Sequence, residues 1–409
     1  MLSVDQALQL VLEHAHSLPP QAVALKEALG RVLAEDVASD IDSPPHDKSV
    51  VDGYAVVAAS LMQPRVELNV LEEVTAGVLP TRDVKPGTTT RIMTGAPLPK
   101  GADAVVMIEQ TETAAADFIR VLQPNVRPGQ NIMRRAASLS RGQVVLSRGK
   151  RLRAIELGLL AEVGRGEVQV NRQPSVAIIA TGNELVSVMT VPASGQIRNS
   201  NGPLLAALVE QTGGEPVDLG IARDETGELR AKVTEGLQHD VVVLSGGVSA
   251  GVLDLVPQVL REVGVQEVFH KVNLKPGKPL WFGVRRDGAA ERQALVFGLP
   301  GNPVSTLVCF ELFVRPAIQS MQGEAPIGLA RTTATLGREH RQRGERPTYW
   351  PSFVREDNGT RSVMPLPWQG SGDLRTLTDA NCLAFFPAGE RIFAVGEQVE
   401  VLLLPCASS

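Results

Sequence analysis

The chain has 409 residues, of which 43% are hydrophobic and 21% charged, with a net charge of -5. That is the balance of a globular protein with enough material for about three domains and their buried cores. Net acidity and only 4% aromatic residues leave neither the basic footprint nor the stacking surface of a nucleic-acid binder, so no nucleic-acid partner is expected.

In chain order, residues 3–17 set Leu8, Val11 and Leu12 behind a capping-type Ser3, and residues 22–37 repeat a helical pattern with Leu25, Ala28, Leu29, Val32 and Leu33. Two amphipathic helices are predicted. From SPPHDKSVVDGYAV to about residue 142, Pro-Gly and Gly-Ala turns separate short runs such as RVELNVLEEV, TTTRIM and ADAVVMI, which predicts a β-rich domain over 44–142. RLRAIELGLLAEV returns to helical spacing and is assigned with the N-terminal helices to one discontinuous helical domain, residues 1–43 and 143–173. From residue 174, apolar runs (SVAIIA, DVVVL, ALVFGL) alternate with helical segments, which predicts a parallel sheet covered on both faces over 174–324. Short alternating runs after residue 325, ending in NCLAFFPAGERIFAVGEQVEVLLLP, predict a small antiparallel sheet or barrel over 325–409.

Cys309, Cys382 and Cys406 are odd in number and far apart, which argues against a disulfide framework or thiolate metal site and fits a reducing compartment. MLSVDQALQL has no export signature, and the apolar stretch VSTLVCFELFV is short and broken by Glu311. A cytoplasmic protein with no membrane span is expected. The six histidines show no HExxH spacing, so zinc is not expected.

Ligands of such a sheet bind outside the carboxyl ends of its strands, and three loops there stand out. DVVVL runs into Ser245, Gly246, Gly247, Val248 and Ser249; paired glycines can turn successive N–H groups inward as an anion nest, or simply make a tight turn. FGLPGNPVST places Asn302 as N-cap, Pro303 at the first helical position and Ser305 in the first turn, offering a helix N-terminus to an anion, although any well-capped junction reads alike. LKPGKPL suits a type II turn that would bring Lys275 and Lys278 together as an oxyanion clamp, or leave them as an ordinary basic turn.

The acidic candidates are Asp52 in VVDGYAV, Glu184 in ATGNEL, Asp224 in IARDET and Asp254 in SAGVLD. Singly each reads as a cap or a solvated charge. Together, close to phosphate-binding loops, they suit Mg²⁺, which takes a few carboxylates with phosphate oxygens and waters. Neither a Walker A pattern nor GxGxxG is present, so a P-loop NTPase and a dinucleotide dehydrogenase are not expected.

VVDGYAV, RIMTGAPLPKGADAVVMIEQTE, ATGNEL, RDE, LSGGVSAGVLD, KPGKP, FGLPGNPVS and WQGSGDLRTLTDANC occur in the order and at about the spacing of the molybdopterin molybdenumtransferase family, typified by bacterial MoeA and the gephyrin E domain. The resemblance covers essentially the whole chain. It implies a multidomain α/β plus β protein: a molybdopterin-binding-like three-layer α/β domain, the helical domain as linker and dimerisation element, the β-rich insertion and a C-terminal β-barrel. An elongated homodimer with an active site shared between subunits is implied too. The implied reaction inserts molybdenum from molybdate into adenylylated molybdopterin and releases AMP with Mg²⁺ present. By the same resemblance Lys275, Lys278 and Ser305 would hold molybdate or phosphate. The loop of Ser245, Gly246, Gly247 and Ser249 would hold the nucleotide phosphate, with Asn302 and Pro303 also contacting substrate. Asp52, Asp224 and Asp254 would position Mg²⁺ or activate the attacking oxygen, Asp224 and Asp254 as its ligands. Thr94 and Glu184 would line the pocket, and Ser371 would approach from the C-terminal domain. Other cofactor-synthesis proteins and apo-molybdoenzymes are the further partners implied.

The chain departs from the family pattern at four places. DNSAMDGYA becomes HDKSVVDGYA, keeping Asp52 but adding Lys48; the GED after NIRRR becomes Ala136, Ala137 and Ser138. GRxxFxR becomes GERPTYWPS, which keeps Arg346 but puts Trp350 and Pro351 where the second arginine would sit, and Asn183 replaces the Asp of TGDEL. Two other functions stay open: adenylation of molybdopterin, which needs only the α/β domain, and a non-enzymatic molybdopterin-binding scaffold. The flanking domains argue against the first, and the retained acids and lysines against the second.

Overall fold

The apolar run Ser175–Thr181 lies inside a six-stranded sheet in the computed structural model, which describes residues 1–122, 124–248, 255–287 and 292–405. Sheet order is Glu215–Ala222, Ser175–Thr181, Val241–Ser245, Arg292–Leu299, Trp281–Asp287, Gln266–His270. Alternate residues serve opposite faces, as a pleated strand requires. Val176, Ile178, Val241 and Val243 join the helices Asn201–Thr212 and Arg315–Met321 on one side. Ile179, Val242 and Leu244 join Thr226–Gly236 and Leu255–Glu262 on the other. Both faces are therefore covered, as the unbroken apolar runs predict.

The sheet is mixed, which corrects the all-parallel expectation. Its first four strands are parallel, but Trp281–Asp287 runs antiparallel to Arg292–Leu299 and to Gln266–His270. A strand buried on both faces reads as an apolar run whichever way it points, so periodicity carried no direction.

The chain divides into two units, one of Met1–Ala34, Arg148–Arg153 and Val168–Ser409, the other of Glu35–Ser147 and Ala154–Glu167. In the first unit, Ser3 caps the helix Val4–His14 through a reciprocal box: its Oγ accepts from Gln6 N at 3.1 Å, and Gln6 Oε1 accepts from Ser3 N at 2.9 Å. Val4, Ala7 and Val11 pack into the α/β core. The second predicted helix does not form. Residues Pro20–Ala24 are extended, Leu25–Glu27 make a single short turn, and Gly30 takes φ 75°. Backbone bonds from Gly30 N to Leu152 O and from Leu33 N to Lys150 O then hold the segment, so tertiary pairing overrides helical spacing.

The C-terminal part closes into a five-stranded barrel in the order Arg331–Leu336, Thr360–Pro365, Thr348–Asp357, Cys382–Phe386, Gln398–Leu403. His340 packs there against Phe386, with ring centroids 3.8 Å apart, and edge-on to Trp350. Burial, helped by Arg338 and Lys275, lowers its pKa from 6.5 to about 4. A depressed folded pKa favours the neutral ring, so this stabilisation is full above pH 6.5 and is lost as pH falls towards about 4. Unfolding curves across that window should show the loss, and His340→Phe should flatten it.

The second unit carries another six-stranded sheet, ordered Ala104–Met107, Gly53–Val56, Thr88–Ile92, Val66–Val74, Phe118–Val121, Thr111–Ala115. The helix Ala154–Glu162 belongs to this unit. Ala136 takes φ 60° at the position where the family pattern has glycine. An L-residue held there is strained by about 1–2 kcal/mol, partly offset in glycine by its greater unfolded-state freedom. Ala136→Gly should raise stability by about 1 kcal/mol, read as a higher urea midpoint at unchanged slope.

Candidate active site

The carboxyl ends of Ser175–Thr181, Val241–Ser245 and Arg292–Leu299 open on a cavity of about 650 Å³. Thr181, Glu184, Asn201, Asp224, Ser245 and Gly247 line it. Gly246 and Gly247 take φ 103° and 63°, so the turn requires glycine. The anion-nest expectation is narrowed, because Gly246 N–H donates to Leu299 O at 3.0 Å and is spent inside the fold. Ser245 is buried and its Oγ accepts from Asn201 Nδ2 at 2.7 Å, which leaves the hydroxyl proton to be donated elsewhere. Ser249 and Asp254 lie outside the described residues.

Asp224 is exposed on the rim of the cavity, tied to Asn183 by two bonds: Asn183 N donates to Asp224 Oδ2 at 3.3 Å, and Asp224 N donates to Asn183 Oδ1 at 3.1 Å. Asn183, in place of the usual acid, thus braces Asp224 without adding charge. Gly182 lies at φ 149°, and a Cβ there would meet the Glu184 carboxylate at 2.6 Å. The loop sequence thereby lets Glu184 fold back beside Asp224's cavity. Two carboxylates share the site, but among the described residues no three His, Cys, Asp or Glu side chains form a metal cage.

A second cavity of about 450 Å³ is lined by Lys275, Lys278, Ser305, Arg346, Trp350 and Trp368. It shares Pro279, Pro300 and Asn302 with the first, so the two adjoin. Lys275 and Lys278 do converge, but not through a type II turn: the Lys275–Pro276 bond is cis and Gly277 takes φ 120°. The barrel holds the turn instead, with Lys275 N donating to Pro347 O, Tyr349 N to Lys275 O, and Arg346 Nη1 to Leu274 O at 3.1 Å. Three cations with no carboxylate in the lining give this cavity a positive field.

Asn302 stands at the N-cap of Pro303–Cys309, with Pro303 at its start and Ser305 buried in the first turn. Its side chain does not cap. Asn302 Nδ2 donates to Ser371 Oγ at 2.8 Å, and Val304 N donates to Ser371 O at 3.0 Å. One N–H of the helix terminus is therefore already taken, and Ser371 acts as a strap from the C-terminal part. Asp52 and Thr94 belong to the second unit, where Asp52 Oδ1 accepts from Thr94 N and Oγ1, both at 2.7 Å. Those two bonds hold its carboxyl below the usual range.

Three family models cover the chain in succession: the MoeA N-terminal region (domain I and II) over residues 2–164, a probable molybdopterin binding domain over 177–320, and the MoeA C-terminal region (domain IV) over 333–404. The chain belongs to the molybdopterin molybdenumtransferase family. A molybdopterin molybdenumtransferase of Staphylococcus aureus strain Mu50 is 34% identical, with 98% of this chain and 95% of the relative covered. That of Bacillus subtilis strain 168 is 34% identical, with 98% and 94% covered. The crystal structure of the molybdopterin biosynthesis moeA protein from Pyrococcus horikosii is 33% identical, with a TM-score of 0.82 and 100% of each chain covered. Membership makes the chain a transferase of molybdenum cofactor biosynthesis, and its multidomain architecture is that of the family.

Two residues that build the cavities carried no such expectation in the sequence. Asn201 is buried and ties Ser245 Oγ to Gly301 O, at 2.7 Å each, so it joins two of the site loops. Its signal was an Asn at a helix start after a strand, which reads as a capping residue. Trp368 opens the WQGSG motif, in which only Ser371 was expected at the site, and it lines the second cavity.

Proposed function

We propose that this chain inserts molybdenum, supplied as molybdate, into adenylylated molybdopterin and releases AMP. The adjoining cavities carry this reading: one has carboxylates and a glycine turn, the other only cations, and they share a wall. A substrate with a phosphoanhydride and a separate oxyanion needs such a pair. Ser245, oriented by Asn201, and the Gly247 turn would hold the nucleotide phosphate. Lys275, Lys278, Arg346 and Ser305 would hold molybdate through charge-assisted contacts.

Mg²⁺ fits the first cavity, since Asp224 and Glu184 supply two carboxylates and substrate phosphates can complete an oxygen shell. When bound, it would neutralise charge on the phosphate oxygens as the pyrophosphate linkage breaks. The protein's share is to align that linkage, exclude water from the buried side through Ser245 and Asn201, and keep molybdate beside it. A cytoplasmic, four-domain homodimer is proposed for the working form. Among the described residues no helix is long and apolar enough to cross a membrane.

The test is AMP release from adenylylated molybdopterin with Mg²⁺, with and without molybdate. Molybdate-dependent release supports insertion. Tight binding with no release would mark a scaffold, despite the retained Asp224 and lysines.

A further inference from the structure

We infer that His270 is a positioning residue for the glycine turn: its imidazole N–H holds Val248 and thereby fixes the Gly247 amide that meets a nucleotide phosphate. This rests on the proposed reading of that turn as the phosphate site. His270 ends the strand Gln266–His270 at the edge of the α/β sheet, where it pairs with Trp281, and its side chain is half-buried. Its Nε2 lies 3.2 Å from Val248 O, the last carbonyl of the turn Ser245–Val248. A carbonyl only accepts, so Nε2 carries the proton and donates.

The turn needs outside anchors because its centre has none of its own. Ser245, Gly246 and Val248 are buried, and Gly247 is the residue left partly open to the cavity that it lines. Gly246 N–H is taken by Leu299 O, whereas the Gly247 N–H has no acceptor among the described residues. At φ 63° and without a side chain, Gly247 is held only by its neighbours in the chain, and glycine has wide backbone freedom. On one side Gly246 is tied to the strand Arg292–Leu299. On the other, everything depends on Val248.

Val248 is 1% exposed and sits in a notch over Gly298, where an added Cβ would meet Val248 Cγ1 at 2.6 Å. A side chain in a notch can still rock about its contact. The bond from His270 adds a second anchor, on the backbone, and two anchors at different points of one residue fix its orientation and that of the peptide joining it to Gly247. His270 is itself rigidly placed: beyond it Lys271 N donates to Leu280 O at 2.8 Å, and Val272 N to Lys278 O at 3.0 Å. Those are backbone bonds, so replacing the imidazole leaves the lysine turn in place. The same few residues thus serve both cavities, by side chain towards the glycine turn and by backbone towards the lysines.

The test is calorimetric titration of the full-length protein, of His270→Asn and of His270→Gln with AMP and, separately, with molybdate. A glutamine amide places its N–H near the position of imidazole Nε2; an asparagine amide reaches only as far as Nδ1 and loses the bond. His270→Asn is expected to weaken AMP binding roughly fivefold, the worth of one hydrogen bond, and to leave molybdate affinity unchanged. His270→Gln should bind AMP as the parent does. Parental AMP affinity in His270→Asn, equal losses in both variants, or a matching loss of molybdate affinity would overturn the inference. Ser245→Ala separates the two levels: if it weakens AMP binding while His270→Asn does not, the phosphate site stands and only the histidine assignment fails. If the parent protein binds no AMP, both fail. A readout independent of the folding of His270→Asn comes from ¹⁵N-histidine spectra of the parent, in which one of the six histidine signals is identified by its loss in His270→Gln. That ring should carry a proton on Nε2, and a ring protonated on Nδ1 alone would equally refute the contact.

Discussion

Gly246→Ala is expected to weaken AMP binding by a factor of about ten or more, the equivalent of about 1.4 kcal/mol. The added Cβ would lie 2.5 Å from Thr181 O and 2.8 Å from Thr181 Oγ1. Thr181 cannot yield readily, since the carbonyl is backbone at the end of a central strand that pairs in parallel with Val241–Ser245. A φ of 103° is a further obstacle for any residue with a side chain. The loop itself must move, breaking the Gly246 N–H bond to Leu299 O and carrying Ser245 away from Asn201. Overpacking of this kind costs about 1–3 kcal/mol of stability, so binding should be measured well below the unfolding transition. Gly227→Ala is the matched control: this glycine is exposed in a helix, nothing lies within 4 Å of its added Cβ, and AMP affinity should not change. An unaltered affinity in Gly246→Ala would remove the glycine turn from phosphate binding.

What the sequence made legible was whatever is encoded locally. Ser245–Gly247, Asn302–Ser305 and Lys275–Lys278 sit at strand ends because turn residues punctuate buried apolar runs, and both kinds of signal lie within a few residues. Strand direction was not legible: the apolar start of Trp281–Asp287 carries no sign of which way the strand points, and its reversal is set by pairing with Arg292–Leu299. The missing helix at residues 22–37 has the same origin, since its backbone bonds go to residues 150–152 and 168–171, more than a hundred positions away. Within the site, the type and position of the loops could be read, but not where each donor was spent. Gly246 N–H, Val304 N–H and the Asn302 amide all look available to a ligand in sequence, yet each has a partner inside the protein. Conversely, Asn201 and Trp368 come to line the cavities only when distant loops converge on them.

Glu311→Leu should destabilise the first unit by about 3–5 kcal/mol. In sequence, Glu311 is merely the acid that interrupts VSTLVCFELFV; in the fold it is 1% exposed, inside the π-helical turn Phe310–Val314. Arg315, 5% exposed, pairs with it through Nε and through Nη2, the latter at 3.0 Å from Glu311 Oε1. Burial pushes the Glu311 carboxyl up and the guanidinium pulls it back only in part. Leucine would fill the volume but leave the cation in an apolar core with only Gln211 Oε1, at 3.4 Å, as a remaining acceptor. The double variant Glu311→Leu with Arg315→Met removes both desolvated charges and should recover most of the loss, because an apolar pair of similar size can match a buried ion pair. The π turn follows directly on the helix that begins at Pro303, so on the proposed reading of the cationic cavity the single variant should also weaken molybdate binding. Urea unfolding of the parent and of the two variants decides the matter: a single-variant loss under about 1 kcal/mol, or a double variant no more stable than the single one, would show that the pair is not bearing desolvated charge.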